Sequence, residues 1–276
     1  MKEMKGLINK ISVFNISTLA LLLVTAFTLL SCNDANARKE NSPADIAFPR
    51  PDDALTKLTR SLADKDASGF AALCTYPVLR PYPLKDIEDS VSMVDYFHIL
   101  VDDSLSSLFR NSTLDDWESY GWRGWSIAGS NPLWYDEGVQ IIDYISPAEA
   151  GLQRILAREE IMSLAPQFRD GWTPVMTLLE TDGDRVFRID SKDATFRLMG
   201  FDRAENIKGI PAMLLLGSVE IEGSAGLQRY TFTGAEGMEA EFMPDAPVPA
   251  LFLKHPKSGD AETCNVRPAY WRDIIR

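Results

Sequence analysis

The stretch Val175-Met-Thr-Leu-Leu-Glu-Thr-Asp-Gly-Asp-Arg-Val-Phe-Arg-Ile-Asp190 decides the fold of the second half of the chain. Two strand-like apolar runs flank the dipeptide Asp182-Gly183, which is a strong hairpin signal. Further short runs follow at 194–199, 212–222, 226–233 and 237–243, and glycines separate them. About six short strands with tight turns predict a small antiparallel β-sandwich or barrel within residues 171–276.

Residues 51–147 predict a different architecture, in which helices precede strands. Helical spacing of apolar residues indicates helices over 52–64, 67–74 and 86–109, the last with one possible break. Glycines and alternating aromatic residues then predict four antiparallel strands, roughly 115–120, 122–128, 132–136 and 138–146. A helical connector over 148–170 joins this region to the β-rich one. The predicted fold class is therefore α+β.

The order of helix, helix, extended Tyr76-Pro77 piece, long helix and antiparallel strands resembles the nuclear-transport-factor-two-like (cystatin-like) fold. Trp134-Tyr135 and the strand Val139-Gln-Ile-Ile-Asp-Tyr-Ile145 carry the same likeness. The resemblance implies helices on the concave side of a curved antiparallel sheet. The pairing of the two parts resembles uncharacterised bacterial lipoproteins that have a cystatin-like domain followed by a β-rich one. In the second half, Glu222-Gly-Ser-Ala-Gly and Tyr230-Thr-Phe carry that likeness. This likeness implies no particular activity, because such folds host enzymes, binding modules and scaffolds.

The N-terminal sequence predicts where in the cell the protein is located. Lys2, Lys5 and Lys10 precede an uncharged apolar run that ends in Leu29-Leu-Ser-Cys32. This is the pattern of a secretory signal, and Leu-Leu-Ser-Cys resembles the bacterial lipobox, which implies a signal peptide over 1–31 and acylation of Cys32. Several acyl chains on one cysteine would anchor the protein stably. An uncleaved spanning helix and a soluble secreted protein are the alternatives.

The predicted location is the cell envelope. We expect the protein to be anchored to the outer membrane, on its periplasmic or surface face. Residues 32–50 are polar and aperiodic, as expected of a tether. The 276-residue chain has a net charge of −12 and therefore repels nucleic acid backbones. The expected partners are the membrane, through the anchor, and a glycan, a peptide or another envelope protein.

The cysteines and histidines indicate neither a metal site nor a cofactor. Cys74 and Cys264 remain once Cys32 is lipidated, and in an oxidising compartment they could form a disulfide. The alternative is that each is a small buried hydrophobe. His98 and His255 are the only histidines, and no ligand spacing typical of zinc occurs.

An aromatic cluster supplies the candidate ligand-binding residues. Trp117, Trp122, Trp134 and Tyr135 lie within twenty residues of one another. Such side chains stack on sugar rings and anchor interfaces, because they offer large, rigid and amphipathic surfaces. The competing explanation is that strand alternation buries most of them in the core.

Two other groups of charged residues are weaker candidates. Asp95, His98 and Asp102 follow one another at helical spacing and could perform acid–base catalysis in a pocket. A solvated helix face explains them better, because the sequence supplies neither a nucleophile nor an oxyanion hole. The second group is a set of charged residues on neighbouring strands of one predicted hairpin: Arg185, Arg188, Asp190, Asp193 and Arg197. Cross-strand charge pairs explain these residues, and a small anionic-ligand site is the alternative. The sequence thus favours a non-enzymatic, lipid-anchored binding or interaction module over a hydrolase or isomerase.

Overall fold

The computed structural model describes residues 49–203, 207–222, 226–255 and 259–274. The predicted signal peptide, Cys32 and most of the predicted tether lie outside these residues. The predicted domain division at 147–171 falls inside a single unit, Arg50–Arg276. Among the described residues, no helix has the length and apolar character needed to cross a membrane.

Four helices form the first part of this unit, and their bounds are α1 Asp52–Ala63, α2 Ala67–Ala71, α3 Ser90–Leu100 and α4 Asp103–Arg110. The predicted helix over 86–109 is two helices, because Asp102 ends the run. Its carboxylate accepts a hydrogen bond from the Leu105 amide at 2.9 Å and thereby caps α4. Leu55, Leu58 and Leu62 on α1 are fully buried, as their spacing predicts.

A small antiparallel sheet follows, with strand order β1-β2-β3-β4. Its strands are shorter than predicted and run over Trp117–Ser119, Trp125–Ile127, Trp134–Tyr135 and Val139–Ile141. The helices and this sheet share one apolar core, which includes Phe70, Phe97, Phe109 and Val139. The prediction of helices and four antiparallel strands is confirmed, whereas the cystatin-like arrangement stays a prediction.

The second part is a closed antiparallel barrel of eight strands among the described residues, in the order β10-β11-β12-β5-β6-β7-β8-β9. The strands are β5 Thr173–Glu180, β6 Val186–Lys192, β7 Thr195–Phe201, β8 Met213–Glu222, β9 Leu227–Thr233, β10 Glu239–Phe242, β11 Ala250–Lys254 and β12 Ala261–Ala269. The predicted Asp-Gly hairpin is β5–β6, with Leu179 paired to Val186. The sequence left a sandwich or a barrel open, and pairing of β12 with β5 closes the barrel.

Two helices cover the outer face of β5, β6 and β7: α5, Pro147–Ser163, and α6, Trp271–Ile274. Ile161 of α5 and Trp271 of α6 pack against Val186, Met199 and Phe201, in a second apolar cluster separate from the barrel interior. Strands β6 and β7 are consequently buried on both faces over most of their length. The C-terminal residues also reach the first part, since the Tyr270 hydroxyl accepts a hydrogen bond from the Asp86 amide at 2.9 Å.

Candidate functional site

A tight turn between β1 and β2 carries the most exposed aromatic residue of the predicted cluster. The Tyr120 amide donates to the Gly124 carbonyl at 2.8 Å, and the Gly124 amide donates back to Gly121 at 3.0 Å. Gly121 and Gly124 have φ angles of 67° and 82°, a region that favours glycine. A side chain at Gly124 would also collide with the Tyr135 carbonyl oxygen. The turn therefore needs both glycines, and it projects Trp122 and Arg123 away from the sheet.

We call the surface formed by Tyr120, Trp122, Arg123 and Trp134 the hairpin tip. Trp122 is 75% exposed. The guanidinium carbon of Arg123 lies 5.2 Å from the centroid of the Trp122 ring and 5.8 Å from that of Trp134. Tyr120 meets Trp134 edge to face at 5.2 Å. These contacts hold an exposed ring and a cation in a defined arrangement.

The other predicted aromatic candidates belong to the core. Trp117, Trp134 and Tyr135 are 3%, 7% and 8% exposed. The Trp117 indole donates to the Thr59 hydroxyl at 3.2 Å, and the Trp134 indole donates to an Asp143 carboxylate oxygen at 2.6 Å. The predicted strand over 122–128 begins only at Trp125, because Trp122 lies in the turn. Of the four candidates, Trp122 is thus the residue that offers a ring face to a ligand.

The predicted acid–base residues are divided between two helices. Asp95 and His98 are exposed on α3, whereas Asp102 lies beyond its end. The Asp102 carboxylate accepts hydrogen bonds from the Leu105 amide and, at 2.7 Å, from the Tyr144 hydroxyl. These bonds give Asp102 a structural role as a helix cap and as the partner of Tyr144.

Three of the predicted strand charges form a buried network with groups from distant parts of the chain. Arg188 Nε donates to Asp190 at 2.7 Å, and Arg197 Nη2 donates to the same carboxylate at 2.6 Å. The predicted cross-strand pairing is correct here, because Asp190 lies directly opposite Arg197. Helix α5 adds Glu160, whose Oε2 lies 3.7 Å from Arg188 Nη1. The Arg188 guanidinium also stacks on Trp271 at 4.6 Å.

Glu160 is the most perturbed carboxylate in this network. Burial raises its pKa to about 7, although Arg188 and the hydrogen bond from Tyr82 oppose the shift. The Tyr82 hydroxyl donates to Glu160 Oε2 at 2.8 Å, and among the described residues Glu160 Oε1 has no hydrogen-bond partner. Desolvation prevails because the Nε donor of Arg188 is directed to Asp190 rather than to Glu160. The network is buried and links α5 to the barrel, so it offers no surface to a ligand.

A second cluster contains three potential metal ligands, Glu180, Glu262 and Cys264, with ligand atoms within 4.8 Å of one another. Arg185 already supplies the positive charge there. Its Nη2 donates to Glu180 at 2.6 Å, to Glu262 at 2.5 Å and to the Cys264 sulfur at 3.1 Å. A metal ion would have to displace this guanidinium, so the cluster is better explained as a set of ion pairs that links the neighbouring strands β5 and β12. Asp193, the remaining predicted strand charge, lies in the β6–β7 turn with a φ of 53°.

The two cysteines of the described residues are free thiols. Cys74 is partly buried next to the helices, and Cys264 is buried in the barrel. Burial raises the pKa of the Cys74 thiol to about 12 and that of Cys264 to about 11. Both therefore remain protonated near neutral pH and match the alternative in which each is a small buried hydrophobe.

Arg123 was not among the residues that the sequence singled out. The signal available for it was local: Gly121-Trp-Arg-Gly124 has a glycine on each side of an aromatic–cation pair, as a hairpin turn would require. The contacts of Arg123 with Trp134 had no such signal, because they depend on how the strands pair.

Comparison of the chain with protein-family models, with curated proteins and with solved structures found no match.

Proposed function

We propose that the protein is a lipid-anchored component of the bacterial cell envelope that acts as a non-enzymatic binding module, with the hairpin tip as its binding surface. One observation carries the proposal. The exposed Trp122 lies on a turn that requires Gly121 and Gly124, and Arg123 packs against its ring. A large side chain held in place loses little conformational entropy when a ligand binds. Exposed tryptophan is costly in water, so its presentation on a built turn favours a role in recognition.

The proposal extends to the architecture of the first part of the chain. We interpret residues 51–147 as a cystatin-like domain, whose helices and short sheet share one core. In this interpretation the domain is a scaffold for the hairpin tip, and the barrel supports it through α5. The roles of Asp102 and Tyr144 in helix capping favour the scaffold over a pocket enzyme.

The membrane anchor is tested at Cys32. Labelled palmitate is expected to enter the full-length protein in a bacterial host and to be absent from Cys32→Ser, which should leave the membrane fraction. Cys74→Ser is the matched control, since Cys74 is a partly buried thiol of the folded body, and it should behave like the wild type. A Cys32→Ser protein that stays lipidated or membrane-bound would contradict the anchor.

The binding surface is tested at Trp122. Truncation of an aromatic anchor typically removes about 2 kcal/mol of binding free energy, or roughly thirtyfold in affinity. Trp122→Ala is therefore expected to abolish co-sedimentation of the full chain with an insoluble envelope glycan such as isolated peptidoglycan. Its stability should be unchanged, because the ring is 75% exposed.

Phe252→Ala is the matched control for Trp122→Ala. Phe252 is an exposed aromatic residue on the barrel, 48% accessible, and it does not belong to the hairpin tip. Its loss should leave co-sedimentation intact. Equal loss in both variants, or retention by Trp122→Ala, would show that the hairpin tip is not the binding surface.

A further inference from the structure

Arg123 is an exposed cation whose hydrogen-bond donors are free for a ligand. Within residues 49–203, 207–222, 226–255 and 259–274, its guanidinium has no hydrogen bond and no ion pair. Two acidic side chains that contact the hairpin tip bind other groups of it. Glu118 accepts from the Tyr120 hydroxyl at 3.4 Å, and Asp143 accepts from the Trp134 indole at 2.6 Å. The N–H donors of Arg123 are thus available to a ligand.

The two aromatic rings orient this guanidinium. Its carbon is 5.2 Å from the Trp122 centroid and 5.8 Å from the Trp134 centroid. A guanidinium held over aromatic rings keeps its N–H donors for other partners, and its planar fork matches a carboxylate in a bidentate geometry. The chain as a whole has a net charge of −12. A cation without a carboxylate partner gives the hairpin tip a local attraction for anions that the chain as a whole lacks.

The proposed function of the hairpin tip, on which this inference rests, can accordingly be given a ligand class. We propose that the hairpin tip binds an acidic sugar, with a ring that stacks on Trp122 and a carboxylate that Arg123 binds. The exposed face of Trp122 suits the apolar face of a pyranose ring. A sugar fits better than an extended peptide, because the tip is a projecting turn. The groove-like cavity on β9–β11, of about 390 Å³, is lined by other residues, including Thr231, Glu241 and Phe252.

The test uses a matched pair of probes with the full chain. The first probe is a trisaccharide of galacturonic acid, and the second is the same trisaccharide with its carboxyl groups methyl-esterified. Calorimetric titration at low salt is expected to give at least about tenfold tighter binding for the acid, since charge-assisted bidentate bonds are the strong ones. Trp122→Ala should weaken binding of both probes.

Two variants separate the carboxylate contact from general charge. Arg123→Gln is expected to lower affinity for the acid by about tenfold or more and to leave the ester unchanged. Arg158→Gln removes the same charge from an exposed position on α5 and should change neither. Both side chains are exposed, so loss of folding is not expected for either variant.

Each other outcome overturns the inference in a distinguishable way. Equal affinity for acid and ester, with both dependent on Trp122, would refute the acidic-sugar class and leave the binding surface standing. Absence of acid binding up to about 10 mM would refute the inference, and the co-sedimentation test would then decide the proposed function independently. Equally tight binding of an acidic tripeptide would show that a carboxylate alone is recognised, and the sugar class would be wrong.

Discussion

Replacement of Arg80 by alanine is expected to lower the free energy of unfolding by about 3–5 kcal/mol, because it leaves a buried carboxylate without its counter-ion. The Arg80 and Glu149 side chains are both 0% exposed and meet at 2.7 Å. The pairing is bidentate, through Nε and Nη2 of the arginine. Arg80 also donates to the carbonyls of Ile142, at 2.6 Å, and Tyr144, at 2.9 Å. One guanidinium thus joins the segment before α3, the end of the small sheet and the first turn of α5.

Urea unfolding of the purified protein measures this effect. Arg80→Lys should also be strongly destabilised, since an ammonium group cannot reproduce the bidentate geometry. The control is Arg60→Ala, which removes an i,i+4 pair with Asp64 whose side chains are 83% and 62% exposed. Exposed pairs contribute little, so its unfolding curve should superpose on that of the wild type. A loss below about 1 kcal/mol for Arg80→Ala would contradict the role of this ion pair.

The second large effect is a fall in stability as the pH rises, caused by Glu160. Its pKa is raised from 4.5 to about 7 by burial in the folded state. Between these values the folded protein binds a proton that the unfolded chain has released, so folding is favoured at the lower pH. The stabilisation is complete below pH 4.5 and is lost as the pH passes about 7. The expected loss is about 2–3 kcal/mol.

The contribution of Glu160 is isolated by comparing two variants across this pH range. Glu160→Gln keeps an acceptor for the Tyr82 hydroxyl but cannot titrate, so the stability difference between it and the wild type should grow by about 2–3 kcal/mol between pH 4.5 and 8. Glu159→Gln changes an exposed neighbour on the same helix and should show no such change. A constant difference for Glu160→Gln would mean that Arg188 keeps Glu160 ionised in the fold.

Local patterns in the sequence predicted the elements that depend on neighbouring residues. The Asp182-Gly183 hairpin, the apolar face of α1 and the short helix α2 all arise from contacts within a few residues, and all are present. The break between α3 and α4 is also local, because Asp102 is a better cap than a helix-interior residue. The sequence predicted one break in this stretch, but its position was not predicted, because the apolar stripe continues across it.

Elements that depend on distant partners were not predictable in the same way. Strands β11 and β12 lie beyond 237–243, the last run that the sequence marks as strand-like. Both are strands because β12 pairs with β5, for example Val266 with Glu180, and so completes the barrel. The buried polar groups Arg80, Glu149 and Glu160 were missed for the same reason. Each resembles an ordinary surface charge in the sequence, and only the tertiary fold removes it from water.

Alternating aromatic residues and glycines predicted strands in this region. Trp117, Trp134 and Tyr135 do lie in strands, and they are buried in the core. The predicted strand over 122–128 was wrong at Trp122, because alternation does not show where a strand ends and a turn begins. Gly121 and Gly124 supply that boundary. The residue excluded from the strand is the one available for binding.

The most direct measurement of the proposed function is the indole N–H spectrum of the ¹⁵N-labelled chain during titration with a soluble fragment of the glycan that co-sediments with it. The Trp122 resonance, assigned from its absence in Trp122→Ala, is expected to shift progressively with ligand. The Trp271 resonance should stay fixed, because that indole is buried and donates to the Ser163 hydroxyl at 2.6 Å. A titration that leaves Trp122 unmoved, or that shifts buried indoles instead, would contradict binding at the hairpin tip.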